Sequence, residues 1–547
     1  MNGDTLIARI LKKEGVEWVA AFPHQSLIDV LAREGIRPII CRQERAGVNM
    51  ADGYSRINNR RKIGVFTMQN GPGAENAFSG VAQAFADGVP LLLLPGGNPR
   101  NRVGVKPNFD SMDHYRGVTK WAGNINMAGR IPEMMRRAFS QLRIGKPGPV
   151  LVEIPLDVAS EEVSDDLLDS YIPIHPFRPA ADAADVRDLV AALLKANTPM
   201  ICAGQGTLYA EAFDELVELA DLINVPVMTT LAGKSAFPEN HRLSVGSGGN
   251  SGTYMVDYFR KKADLILGIG TSFTISTFNA PMPQGTPLAM VNISAEDFNK
   301  DYPVSLGAIG DAKVVLRQII EEVKSQTDGK GRPDEGIEAE IKRITTDWMK
   351  EWEPHFTTDE VPISPYRVFR ELEKSVDVAN TIVTHDSGYP RDQLLPFWKP
   401  VRPNGYIGWG KSTQLGYGLG LAIGAKLAAP EKTVINFMGD AAFGMAGLDV
   451  ETAVRAGVGT LTIILHNGVM TGYAKKYMPH AADIYGTNQL GGEYAKVGEA
   501  LGAHGERVDS PDKLGPAIQR AINATKEGQP AVLEVMTKEE LEIAKYW

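Results

Sequence analysis

Cysteine is nearly absent: the 547 residues hold two, Cys41 and Cys202. Two cysteines cannot build a disulfide framework or a thiolate metal site, and they suit a reducing cytosol. A basic excess is missing too, because 57 Lys and Arg face 66 Asp and Glu, for a net charge of −9. That balance argues against a nucleic-acid partner, which calls for a concentrated basic surface. No uncharged apolar run approaches the ~20 residues that cross a bilayer. The opening MNGDTLIARILKKEGVEW carries charges through its apolar positions and lacks a signal-peptide core. No repeat of about 20–50 residues is visible, which excludes a solenoid. A Gly-x-Gly-x-x-Gly turn followed by an acid is also missing from the strand–helix junctions, so a plain dinucleotide enzyme ranks last. A soluble, cytoplasmic globular protein with no membrane partner is the expectation.

What is present is glycine, 56 residues, in a chain that is 43% apolar. Short apolar runs alternate with amphipathic stretches, the texture of α/β folds. RPIIC, KIGVFTM, VPLLLLPG and GPVLVEIP read as buried parallel strands, with helices over 44–57, 74–87 and 130–143 between them. TPMICAG, NVPVMTT, ADLILGIG and PLAMVNIS form a second set, and NTIVTHD, KTVINFMGD, GTLTIILHN and PAVLEVM a third. The predicted architecture is three consecutive, similar, doubly wound α/β domains with mainly parallel sheets, over residues 1–165, 184–328 and 360–547. Proline-rich IPIHPFRPAADA and polar SQTDGKGRPDEG separate them as linkers.

The most specific signal lies in VINFMGDAAFGMAGLDVETAVRAGVGTLTIILHNGVMTGY. Asp440 and Asn467 stand 27 residues apart, each at the carboxyl end of a strand, where open α/β sheets place ligands. A carboxylate, an amide oxygen and a following backbone carbonyl suit a hard cation such as Mg²⁺, which also holds phosphate oxygens. Gly439, Ala441 and Ala442 let the backbone approach a phosphate at the start of the next helix. Taken alone, Gly439-Asp440 is more commonly a βα turn with a capping acid; the spaced asparagine makes the difference.

These residues resemble the motif of thiamin-diphosphate enzymes, Gly-Asp-Gly followed after 24–27 residues by Asn-Asn. Here it reads Gly439-Asp440-Ala441 and His466-Asn467. The resemblance implies Asp440, Asn467 and the Val469 carbonyl as Mg²⁺ ligands, with Met470 and Thr471 beside the diphosphate. His466 replaces the asparagine that is not a ligand, and is not read as one. A second match is Glu44-Arg45-Ala46 through Ala51-Asp52-Gly53-Tyr54-Ser55-Arg56. It implies that Glu44 bonds N1′ of the cofactor's pyrimidine and favours the imino tautomer that removes the C2 proton. Judged locally, Glu44 is also a carboxylate in a helix's first turn, where the macrodipole favours it. A third match, Gly410 to Gly418, implies Leu415, 25 residues before Asp440, as the side chain that bends the cofactor. The Thr413 carbonyl and Leu415 amide would hold the pyrimidine edge, and His385-Asp386-Ser387-Gly388-Tyr389 matches another diphosphate-contacting loop. In this family the Glu44 domain of one subunit faces the diphosphate domain of another, which implies at least a homodimer and often a homotetramer.

Within the family the chain looks most like acetohydroxyacid (acetolactate) synthases, through Gln69–Asn76, Gly145–Val150, Pro226–Lys234 and Phe237–Asn240. Phe22-Pro23-His24-Gln25, Phe109-Asp110 and Met470-Thr471-Gly472-Tyr473 depart from that branch at substrate-facing positions. Thr271–Ile275 replaces the stretch that helps hold FAD, which puts FAD retention in doubt. His24 and Gln25 fall where this superfamily brings polar side chains over the thiazolium; the alternative is that they only cap the next helix. Asn70 is a similar candidate to orient a substrate carbonyl, and His114, Tyr473 and His480 would line the mouth. Trp547 would cover a site or simply pack. The expected activity is decarboxylation of a 2-oxoacid such as pyruvate, followed by ligation of the activated aldehyde to a second carbonyl. The alternatives are a C–C lyase or hydrolase acting on a 2-hydroxyacyl-CoA or 1,2-diketone, and a non-catalytic cofactor-binding subunit. Acyl-CoA chemistry would call for a basic patch in the central domain, and none stands out in the sequence.

Overall fold

The computed structural model describes residues 1–547, the Gln25 side chain excepted. Its strands form three six-stranded sheets, and each strand pairing is parallel. The first sheet runs, in spatial order, Arg37–Ile40, Trp18–Phe22, Gly64–Met68, Leu91–Gly97, Val150–Pro155, Trp121–Asn124. The third runs Tyr406–Ile407, Thr381–His385, Thr433–Gly439, Leu461–His466, Ala531–Met536, His504–Val508. Numbered along the chain, both sheets have the order 2-1-3-4-6-5. The central sheet is wound differently: Leu306–Ile309, Leu288–Asn292, Leu265–Ile269, Pro199–Ala203, Val227–Thr230, Ser244–Gly248, or 6-5-4-1-2-3. The expectation of three similar units is thus corrected to two alike and one of another order.

The inner strands are apolar because helices cover both faces of a parallel sheet. Leu91 to Leu94 are each 0% exposed, and each such burial is worth about 1.5–3 kcal/mol. The helix expected over 44–57 spans Glu44–Ile57, and those expected over 74–87 and 130–143 span Pro72–Ala86 and Ile131–Arg143. The Glu44–Ile57 helix and the Tyr417–Ala428 helix each follow the second strand of their sheets, and they pack against one another. A Cβ on Gly53 would lie 2.2 Å from the Leu421 carbonyl oxygen, and one on Gly424 1.9 Å from that of Met50. Only glycine allows that approach. Val48, Met50 and Ala51 of the first domain share one apolar cluster with Leu419, Ile423 and Phe443 of the third. Among the described residues no helix is long and apolar enough to cross a membrane.

Candidate active site

In sheets of order 2-1-3-4, ligands collect at the carboxyl ends of the strands where the winding reverses, between the first and third strands. In the third sheet that point falls between His385 and Gly439, so Asp386-Ser387-Gly388 and Asp440 flank it. Asp440 opens the helix Asp440–Ala446. Its Oδ1 accepts the Ala441 N–H at 2.7 Å and its Oδ2 the Gly468 N–H at 2.9 Å. Asn467 Oδ1 accepts from the Val469 N–H at 3.0 Å, while Asn467 Nδ2 donates to Thr471 Oγ1 at 3.1 Å. Gly468 turns this segment at φ 72°, and bonds from Met470 N–H to the Asn488 carbonyl and from Leu490 N–H to the Gly468 carbonyl, both 2.8 Å, fasten it.

These residues border a cavity of about 330 Å³. Gly439, Asp440, Ala441, Ala442, Asn467, Val469, Met470 and Thr471 line it, with Ser387, Gly388, Tyr389 and Leu415 opposite. Thr413 reaches it through Ser387, their hydroxyls 3.0 Å apart. Tyr473, Lys538 and Glu540 are also part of the wall. The Gly388 backbone has φ 97°, a left-handed conformation that favours glycine. Asp386, buried beneath, accepts N–H bonds from Ser387, Gly416 and Gly418 at 2.7, 2.9 and 2.8 Å; burial nevertheless raises its carboxyl to about 6.

The donor set fits a divalent cation and a diphosphate. Asp440 is 3% exposed, and burial pushes its carboxyl upward. No Lys or Arg pairs with it among the described residues. His466 Nε2 lies 3.9 Å away, while Nδ1 of that ring is 2.7 Å from Glu534 Oε1. Lys538 is committed to Glu360 and Glu540 at 3.0 and 2.9 Å. A cation would balance the charge of a diphosphate here, and carboxylate, amide and carbonyl oxygens are the ligands a hard cation takes.

The first domain assembles a different set at its own reversal point. His24 follows the strand Trp18–Phe22 and Asn70 follows Gly64–Met68. His24 occupies the position before the helix Gln25–Arg33 without capping it through its side chain. Its ring Nδ1 lies 2.8 Å from Thr67 Oγ1, and that hydroxyl donates to the Leu94 carbonyl at 2.7 Å. Thr67 must therefore accept from Nδ1–H, which leaves Nε2 as a bare acceptor. Nε2 is buried and has no partner among the described residues. Burial lowers this imidazole to about 4, so it is neutral near pH 7. The Gln25 side chain lies outside the described residues. Asn70 Nδ2 donates to Asn98 Oδ1 at 2.8 Å, and Asn98 Nδ2 to the Phe109 carbonyl at 3.3 Å. Glu44 begins its helix 4% exposed, its Oε2 accepting from Asn76 Nδ2 at 3.3 Å.

Glu44, His24 and Asn70 are absent from the lining of the 330 Å³ cavity of their own chain. Sequence reasoning gave no role to Thr67 or Asn98, because each acts on another polar side chain or on backbone and carries no motif of its own; Asn76 and Asp386 fell inside matched motifs without a role of their own. His114 stacks on Phe109 with centroids 4.4 Å apart, and His480 is exposed. Trp547 packs on the central domain, its Nε1 donating to the Gly249 carbonyl at 3.1 Å. A further hollow of about 910 Å³ opens between the first and central domains. Lys120, Lys146 and Lys411 line it. Asp87, Glu296 and Asp297 line it as well, and Lys146 pairs with Asp297 at 2.9 Å, so the lysines come from the first and third domains and do not form a basic patch of the central domain.

Family models describing thiamine pyrophosphate enzymes match residues 1–117 as an N-terminal TPP binding domain, 186–319 as a central domain and 386–535 as a C-terminal TPP binding domain. A probable acetolactate synthase large subunit from Methanococcus aeolicus is 29% identical over 96% of this chain and 90% of that protein. The acetolactate synthase large subunit of Haemophilus influenzae is 29% identical over 96% and 92%. Acetolactate synthase isozyme 3 large subunit of Escherichia coli K12 is 26% identical over 98% and 94%. With three family models in sequence and relatives aligned along nearly its whole length, the chain belongs to the thiamine pyrophosphate enzyme family, in its acetolactate synthase-like branch, as a thiamin-diphosphate-dependent enzyme.

Proposed function

We propose that this enzyme decarboxylates a 2-oxoacid such as pyruvate and joins the activated aldehyde to a second carbonyl. The observation that carries the reading is the 330 Å³ cavity, where a buried carboxylate with no Lys or Arg partner among the described residues meets amide and carbonyl oxygens beside small residues. Thiamin diphosphate, when bound, supplies the electron sink for C–C cleavage next to a carbonyl. Asp440, Asn467 and the Val469 carbonyl would hold Mg²⁺. Gly439, Ala441, Ala442, Ser387, Gly388, Tyr389, Met470 and Thr471 would border the diphosphate, and Thr413 and Leu415 the rings. Glu44 would hold a proton at the pyrimidine nitrogen. Because Glu44 is not part of its own chain's cavity, a second copy would bring it, giving a homodimer or a tetramer built from dimers. His24, through the lone pair of Nε2, and Asn70, fixed by Asn98, would receive and orient the carbonyls, and Gln25 remains the third candidate for that role.

The test is NMR of the protein with thiamin diphosphate, Mg²⁺ and pyruvate, with and without an added aldehyde. Acetolactate, acetoin or a mixed hydroxyketone is the expected product. Untouched pyruvate from protein that exchanges the cofactor's C2 proton would overturn the proposal. One observation favours a second reading, a lyase acting on 2-hydroxyacyl-CoA: the 910 Å³ hollow has Lys411 at its wall with no ammonium partner among the described residues. Cleavage of a 2-hydroxyacyl-CoA under the same conditions would establish it.

A further inference from the structure

The segment 408–416 joins the second strand of the third sheet to the Tyr417–Ala428 helix and carries Thr413 and Leu415. It is held at both ends by carboxylates. At the far end stands Asp386 of the same domain, on the N–H groups of Gly416 and Gly418. The near end is gripped by the first domain. Asp87, which closes the helix Pro72–Ala86, accepts the Gly410 N–H at 2.9 Å and the Lys411 N–H at 3.0 Å. One turn earlier on that helix, Gln83 Oε1 accepts the Gln414 N–H at 3.3 Å. Three loop amides thus face one helix end.

The grip is itself anchored. The Asp87 side chain is 0% exposed and pairs with Arg56 Nη2 at 3.0 Å. Arg56, 4% exposed, also donates to the Gly408 carbonyl at 2.8 Å and to Asp52 at 2.6 Å. Tyr417 donates to that same Asp52 at 3.1 Å. A buried pair with each partner satisfied is rigid, and removing one member leaves the other charge uncompensated. The first domain therefore imposes the loop's course rather than merely touching it.

We propose that Asp87, through its pairing with Arg56, is a positioning residue for the cofactor's rings. By this arrangement the first domain shapes the ring-contacting loop of its own chain while offering Glu44 to another chain's site. The inference rests on the reading of Thr413 and Leu415 as ring contacts. It separates two halves of affinity that a general loss of structure would reduce together. The diphosphate cradle at 439–471 belongs wholly to the third domain, so changes at Asp87 should leave it intact.

The experiment is calorimetric titration of the full-length protein, at saturating Mg²⁺, with thiamin diphosphate and separately with inorganic diphosphate. Asp87→Asn keeps the volume and one acceptor. It is expected to raise the Kd for thiamin diphosphate about tenfold and to leave that for inorganic diphosphate within about twofold, as loss of hydrogen bonds to a charged acceptor implies. Gln83→Ala removes the Gln414 contact without disturbing a buried charge, and should raise the first constant about threefold. An unchanged Kd for thiamin diphosphate in folded Asp87→Asn, or an equal loss for both ligands, would overturn the proposal. A wild type that binds thiamin diphosphate no better than inorganic diphosphate would instead remove the ring-contact reading, and the inference with it.

Discussion

The first and third domains share one strand order, yet the two half-sites at their reversal points are made from different materials. In the third domain the side-chain oxygens are held by backbone: Ala441, Gly468 and Val469 N–H groups orient Asp440 and Asn467, and a two-point pairing fastens the following loop. In the first domain side chains hold side chains, as Thr67 holds His24, Asn98 holds Asn70 and Asn76 meets Glu44. The contrast follows the chemistry. A cation and a diphosphate need oxygens and room for close approach, which short loops at strand ends supply. Proton handling and carbonyl recognition need side chains whose protonation state is set by burial and partners.

The comparison breaks most sharply at Glu44. Glu44→Gln should slow exchange of the cofactor's C2 proton by about 10²–10⁴, the usual range for a lost acid–base group, while cofactor affinity stays nearly unchanged. Deuterium exchange read by NMR after acid quench measures it; an unchanged rate would remove the activating role. The reverse pattern belongs to the other half. Asp440→Ala should weaken thiamin diphosphate binding in Mg²⁺ by about a hundredfold or more, since even outer-sphere changes at metal sites cost 10–100-fold. Calorimetry in Mg²⁺ and in its absence tests this, and equal loss in both would contradict a ligand role.

His24 sharpens the contrast through pH. Its imidazole, lowered from 6.5 to about 4 by burial, is neutral when folded and binds a proton more readily when unfolded. Stability attributable to it is therefore complete above about pH 6.5 and falls as the pH drops toward 4, by about 2–3 kcal/mol over that window. Paired thermal melts of wild type and His24→Gln across pH 4–8 should show the gap closing on the acid side. A constant gap would mean that His24 is protonated or solvated. The smallest effect is expected at Asn98. Asn98→Ala frees Asn70 and should lower kcat/KM for the acceptor carbonyl about two- to tenfold, the worth of one net hydrogen bond, with cofactor affinity unaltered.

Legibility in the sequence followed burial. The strands read from it as apolar runs, LLLLPG, TIVTH or VINFM, are mostly inner strands covered on both faces. Five of the six it did not yield, WAGN, SVGSG, LGAI, YI and HGERV, are sheet edges. An edge strand has a neighbour on one side only and tolerates glycine and charge, so its composition resembles a loop's. The sixth, WVAAF, is an inner strand. Asp440, Asn467 and Leu415 could be found because their spacing is set by strand and crossover lengths, and the structure gathers them around one cavity.

By itself the amino-acid sequence determined the α/β class, the motif residues at the ends of parallel strands and the family to which they belong. These depend on periodicity and on residues close enough along the chain to keep a fixed spacing. Only the tertiary structure decided that the central sheet has its own winding, that His24 presents a bare Nε2 rather than a cap, and that Asp87 and Arg56 reach more than 320 positions along the chain to fix 408–411. Those features arise from where separate elements come to rest against one another, and a buried polar contact over such a distance leaves no periodic trace in the chain.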